Sequence, residues 1–137
     1  MNAKTKNSEA PLVSIVDDDA SVRCSAGRLL RSSGLRAEAF ASAEEFLRSE
    51  FLGQTACVLL DVRMNGMSGL ALQQQLLKTG RQIPIVFLSA HATEDEEARA
   101  LRAGAAGFLR KPVSKEALFG ALRAVLEFPN GKRKDEL

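Results

Sequence analysis

The run Ala56-Cys57-Val58-Leu59-Leu60 is apolar without a break and closes on Asp61. A strand with one wet face alternates polar and apolar residues. An unbroken run belongs to a strand buried on both faces, as in a parallel sheet between layers of helices. Working outward, comparable runs lie at residues 12–16 and 83–88, with a more polar one at 36–40 and a shorter one at 106–109. The segments between them carry a helical period. Val22, Ala26, Leu29 and Leu30 fall at i, i+4, i+7 and i+8, and Ala43, Phe46 and Leu47 at i, i+3 and i+4. Leu118, Leu122 and Val125 fall at i, i+4 and i+7. Ser42-Ala43-Glu44-Glu45 and Thr93-Glu94-Asp95-Glu96 have the form of capping boxes, which place helix starts at Ser42 and Thr93. Gly34, Gly80 and Gly104 stand where a left-handed residue would end each helix. Five strand–helix units follow, with parallel pairing and right-handed crossovers, in a three-layer α/β sandwich.

Composition bounds the function. At 137 residues the chain is one domain's worth, and 45% hydrophobic with 26% charged residues is ordinary for a globular protein. No stretch approaches the ~18 apolar residues of a membrane span. The formal charge is +2, and each tail contributes +1: Lys4, Lys6 and Glu9 in residues 1–10, and Lys132, Arg133, Lys134, Asp135 and Glu136 in residues 129–137. The body, 11–128, is neutral, so no direct binding of nucleic acid is expected. Cys24 and Cys57, 33 positions apart, form no CxxC pair and no zinc set with His91, and read as two core-leaning thiols. Residues 1–11 are polar and lack the apolar core of a signal peptide, which points to a cytoplasmic protein. The closing Lys134-Asp135-Glu136-Leu137 has the form of an ER-retention address, which reads as coincidence in a charged tail.

The informative polar residues follow the strands: Asp17, Asp18 and Asp19 after the first, Asp61 after the third, Ser89 after the fourth, and Lys111-Pro112 after the fifth. In a parallel sheet these carboxyl ends share one edge, where ligands bind. With the flavodoxin-like strand order 2-1-3-4-5, the first and third strands meet at the switch point. Several carboxylates in one pocket repel, and a divalent cation removes the conflict. Mg²⁺ suits the site because it accepts a few carboxylates and keeps other positions for water and phosphate oxygens. Lys111 supplies a point charge for a phosphate, and the Ser89 hydroxyl a hydrogen bond. An aspartate beside such charges is placed to attack phosphorus and carry the phosphoryl group. Asp19, directly before the first helix, reads as its cap.

Four motifs, Ile15-Val16-Asp17-Asp18-Asp19, Leu59-Leu60-Asp61-Val62-Arg63-Met64, Phe87-Leu88-Ser89-Ala90 and Gly107-Phe108-Leu109-Arg110-Lys111-Pro112, resemble those of bacterial two-component response-regulator receiver domains. Asp18-Asp19-Ala20-Ser21-Val22-Arg23, Ser42-Ala43-Glu44-Glu45-Phe46-Leu47 and Gly66-Met67-Ser68-Gly69-Leu70 resemble the FixJ-like subgroup, as do the spacings of 28 from Asp61 to Ser89 and 22 from Ser89 to Lys111. The resemblance implies that Asp61 accepts a phosphoryl group from a sensor histidine kinase. It implies that Mg²⁺ (or Mn²⁺) is held by Asp18, Asp61 and the Arg63 backbone carbonyl, with Asp17 acting through a metal-bound water. Ser89 and Lys111 would contact the phosphoryl oxygens, Phe108 would be the switch aromatic, and Pro112 a cis-proline. Arg63 and His91 would tune the lifetime of the phosphorylated state, Arg63 either covering the phosphate or reaching the acidic helix start at residues 94–97. The protein would be a signalling phosphoacceptor rather than an enzyme. Its output, expected to be transcriptional, would run through the face of the fourth helix, fifth strand and fifth helix, which is also a possible homodimer interface.

The sequence departs from the family at Asn65, where proline is usual; Asn65-Gly66 is a looser turn than Pro-Gly. The domain is expected over 11–128, after a tail of 1–10. Residues 129–137 read as a charged tail or as a truncated linker to the helix-turn-helix domain that FixJ-like proteins carry. A second reading sets Asp17-Asp18-Asp19-Ala20-Ser21-Val22 against the start of haloacid-dehalogenase-like phosphatases, with Asp17 as nucleophile and Asp19 as acid/base. It leaves Asp61 unexplained and finds no later acidic pair at a strand end.

Overall fold

The structure, a computed structural model, describes residues 10–126. The two tails, Glu127 and Phe128 therefore lie outside the described residues, apart from Ala10 of the N-terminal tail. Five strands, β1 (Leu12–Val16), β2 (Arg36–Phe40), β3 (Thr55–Leu60), β4 (Ile85–Ser89) and β5 (Gly107–Arg110), alternate with five α-helices. These are α1 (Ala20–Ser32), α2 (Ala43–Arg48), α3 (Gly69–Lys78), α4 (Glu94–Arg102) and α5 (Lys115–Arg123). All four strand pairings are parallel, in the order β2-β1-β3-β4-β5. This is the flavodoxin-like three-layer sandwich expected from the sequence.

The unbroken apolar runs fill both faces of the sheet. Val13, Ile15, Leu59 and Val86 pack with Leu30, Phe119 and Leu122 of α1 and α5. Val16, Val58, Leu60 and Phe87 pack with Phe46, Leu72, Leu76 and Ala100 of α2, α3 and α4. Strand β4 begins two residues later than expected. Pro84 has no N–H to give the ladder, though its carbonyl accepts from Val58 N–H (2.9 Å). Helix starts are fixed by Asp19, Ser42, Ser68, Thr93 and Ser114, each accepting backbone N–H groups of the first turn. Thr93 and Glu96 form a full capping box. At Ser42 the box is displaced by one residue, because Glu45 Oε1 takes the Ala41 N–H instead (3.2 Å).

The cysteine reading needs correction. Cys57 is buried, and burial pushes its thiol up to about 12, which makes it inert. Cys24 is exposed, because position 24 lies off the Val22–Ala26–Leu30 stripe of α1. Among the described residues, no helix is long and apolar enough to cross a membrane.

Candidate functional site: an acidic cluster at the carboxyl edge of the sheet

The sheet ladder continues one residue past the strand ends and positions the site. Asp17 N–H donates to Phe40 O (3.1 Å), Asp61 N–H to Val16 O (3.1 Å), and Lys111 N–H to Ser89 O (3.0 Å). Each residue is thus anchored to a neighbouring strand before its side chain does anything. Carboxylate oxygens of Asp17, Asp18 and Asp61 lie within 4.8 Å of one another. Lys111 Nζ reaches into the group, 2.9 Å from Asp17 Oδ2 and 3.5 Å from Asp61 Oδ2. One lysine against three carboxylates leaves an uncompensated negative charge, and Asp17 is only 2% exposed.

The electrostatics record the conflict. Burial, with the Asp17 charge beside it, raises the Asp61 carboxyl above the usual range, although Lys111 and the Arg63 N–H pull it back. Burial works against the charge of Lys111 as well. The hydrogen bond and charge of Asp17, with Asp61 behind, outweigh it and raise the lysine. Ser89 is 1% exposed, and its Oγ has no hydrogen-bond partner among the described residues. A buried donor left without an acceptor is costly, and an anionic oxygen bound at this edge would supply one. Three hard oxygen donors in surplus over their counter-charge suit a hard dication such as Mg²⁺.

A family model described as the response regulator receiver domain matches residues 13–123. The chain belongs to that family. The receiver is 42% identical over 126 residues to the response regulator protein TodT of Pseudomonas putida, covering 92% of this chain and 56% of that protein. It is 38% identical over 114 residues to the transcriptional regulatory protein FixJ of Azorhizobium caulinodans, covering 83% and 54%. The solved structure of response regulator StyR is similar at a TM-score of 0.79 and 42% identity, covering 93% of this chain and 64% of that one. The receiver thus spans about half the length of the curated relatives it matches.

The remaining site residues fall as follows. Asp19 is exposed and spends its side chain on the helix start, accepting from Ser21 N–H (2.8 Å). Asp17 Oδ1 takes the Asp19 N–H (2.9 Å) and Oδ2 takes Lys111, so both its oxygens are committed. These bonds engage the Asp17 and Asp19 carboxylates that the phosphatase reading would use as nucleophile and acid/base. Asp61 is freer: Oδ1 receives only a long bond from Arg63 N–H (3.4 Å). The Lys111–Pro112 bond is cis. Arg63 takes the second of its two anticipated directions and pairs with Glu96 at the start of α4 (2.8 Å). Among the described residues, the exposed His91 makes no hydrogen bond or ion pair.

Phe108 stacks on Phe87 with ring centroids 5.5 Å apart, and the Arg110 guanidinium lies 5.4 Å above its ring. Arg110 in turn donates to Ala92 O and Glu97 Oε1 (both 2.7 Å), tying the aromatic to α4. Arg110 was not singled out in the sequence; its place after Phe108 on β5 was the available signal. Glu44 was also missed. Its Oε2 accepts the Met67 N–H (3.0 Å) in the loop after Asp61. At the far end of that loop, Gly69 sits so close to Asp61 that a Cβ there would run into the Asp61 carbonyl oxygen.

Proposed function

We propose that this receiver takes a phosphoryl group onto Asp61 from the phosphohistidine of a sensor histidine kinase. The observation that carries this reading is the clustering of Asp17, Asp18 and Asp61, with Lys111 paired to Asp17 and Asp61, at the same sheet edge as the Ser89 hydroxyl, which has no partner among the described residues. An Asp61 carboxylate oxygen bonds to phosphorus as the P–N bond breaks, and the bond's electron pair goes to the departing imidazole. Asp18, Asp61 and the Arg63 carbonyl would hold Mg²⁺ (or Mn²⁺), with Asp17 acting through water. When bound, the ion supplies the positive charge that three carboxylates and a phosphoryl group lack. Lys111 gives the phosphoryl oxygens a point charge, and Ser89 a hydrogen bond. The test is incubation with acetyl phosphate and Mg²⁺, followed by mapping of the acid-labile adduct. It is expected on Asp61 alone; an adduct on Asp17 would revive the phosphatase reading.

The output follows from the same geometry. Ser89 moving toward the phosphoryl group frees space for Phe108 to turn inward, and Arg110 carries that turn to α4. The α4–β5–α5 face then shifts population between two shapes, for a second copy or a tethered domain to read. Transcriptional control is the output for which several relatives are named, FixJ among them. Amide exchange across residues 90–125 is expected to change when beryllofluoride and Mg²⁺ are added. Identical exchange with and without them would remove the switch.

The Arg63–Glu96 pair is half exposed, and such pairs are worth about 0–1 kcal/mol. The added charge of a phosphoryl group can draw Arg63 off Glu96 and, with His91, over the phosphorus. Truncating both to alanine is then expected to speed phosphate release several-fold, each tenfold step being about 1.4 kcal/mol of barrier. A release rate within about twofold of wild type, measured after donor removal, would show that the two do not set the lifetime.

A further inference from the structure

The loop from Asp61 to Gly69 carries the Arg63 carbonyl, the one proposed metal ligand that no side chain positions directly. Three alternate backbone N–H groups hold this loop, and each donates to a carboxylate. Arg63 N–H donates to Asp61 Oδ1 (3.4 Å), Asn65 N–H to Asp18 Oδ2 (3.2 Å) and Met67 N–H to Glu44 Oε2 (3.0 Å). The middle bond exists because residue 65 is not a proline, which has no N–H to give. Two of the three acceptors are carboxylates that a cation would claim. A cation draws charge from the same carboxylates, so those two amide bonds weaken as it binds. The third acceptor stands outside the acidic cluster, on the first turn of α2. Gly66, at φ +78°, lets the loop approach it closely: a Cβ at 66 would lie 3.0 Å from Glu44 Oε2.

We infer that Glu44 is a positioning residue for the metal and phosphoryl site. It is the anchor that keeps its grip on the acceptor loop, and so on the Arg63 carbonyl, when Asp18 and Asp61 turn to the cation. The inference rests on the Mg²⁺ reading given under Proposed function. It adds a competition that proline at 65 would not set up, since Asp18 then serves both Mg²⁺ and the Asn65 amide.

The test compares Glu44→Ala with Glu44→Gln. Alanine removes the acceptor oxygen; glutamine keeps an acceptor oxygen and loses the charge. Glu44 is half-buried at a helix start and outside the core, so both chains are expected to fold. Mg²⁺ affinity is read by calorimetry, and loop dynamics by amide exchange at Met67. In Glu44→Ala, Mg²⁺ is expected to bind about tenfold more weakly, the scale for residues supporting metal ligands. Met67 exchange should be faster even without metal. Phosphorylation by acetyl phosphate should need more Mg²⁺ for half-maximal rate yet reach nearly the wild-type rate at saturation. Glu44→Gln should restore most of the affinity.

Equal losses in the two variants would overturn the inference, because they would show long-range charge at work rather than the hydrogen bond. So would wild-type affinity in Glu44→Ala. A wild-type protein that takes up no Mg²⁺ would overturn the metal reading and this inference with it, and is told apart by the wild-type titration alone.

Discussion

Asp61→Asn will take up no phosphoryl group from acetyl phosphate and, without divalent cations, will be more stable than the wild type. The first effect follows because an amide is no nucleophile toward phosphorus. The second follows from the cluster's charge. Burial and the neighbouring Asp17 raise the Asp61 carboxyl, so at neutral pH folding holds it ionised against its preference. A raised carboxyl favours the folded state where it is protonated, and that contribution is lost as pH rises through its folded-state value. Asparagine removes the penalty at pH 7 and keeps the shape, so the folded state gains. In thermal melts this is a rise of a few degrees, shrinking as pH is lowered toward the point where wild-type Asp61 is itself protonated. Mg²⁺ should raise the wild-type melting temperature and barely move that of the variant. Phosphoryl uptake by Asp61→Asn at the wild-type rate would show that the acceptor lies elsewhere.

Lys111→Met is expected to have the largest effect on stability. Lys111 is the one cation within salt-bridge distance of Asp17 and Asp61 among the described residues, and Asp17 is nearly fully buried. Methionine keeps the apolar stem and removes the charge. Stripping one partner from a buried pair costs about 3–5 kcal/mol; here about 3 is expected, since 19% of the lysine side chain is exposed. Two further observations identify the cause as charge. The gap in melting temperature between variant and wild type should narrow as pH falls from 7 toward 5, because protonating either carboxylate relieves the repulsion. Mg²⁺ should narrow the same gap, because the variant, with no lysine competing for the carboxylates, binds the cation more tightly than the wild type and gains more from it. A gap unchanged by both pH and Mg²⁺ would place the loss in packing instead.

How much of this was legible in the sequence depended on the kind of interaction. The strand ends were readable because parallel strands buried on both faces cannot hide their composition. Asp61 after Leu60, and Asp17 after Val16, mark where the apolar runs stop. The cluster was readable once the strand order brought those ends to one edge. Contacts made to backbone were not. Glu44 lies 23 positions before the amide it binds, and that amide belongs to a methionine whose side chain plays no part. Its motif, Ser42 to Glu45, already had a sufficient local explanation as a helix start. Cys24 was misplaced for a related reason: residue type argued for the core, and only the phase of α1 decides which face a position takes. Arg63 had two electrostatically reasonable directions, and the capping box at Thr93, by fixing Glu96, gave it a partner there.

Gly69 bears on how variation in this protein should be interpreted. As the first residue of a helix, with ordinary backbone angles, it looks like a site where alanine would be harmless or even helpful. The Asp61 carbonyl oxygen occupies the space a methyl group would need, so the two backbones are pressed together with nothing between them. In a saturation library, position 69 would then show the intolerance usually credited to chemistry while taking no part in any reaction. Its depletion would track expression and folding yield as closely as signalling, and a catalogue of functional residues built from survival alone would count it wrongly.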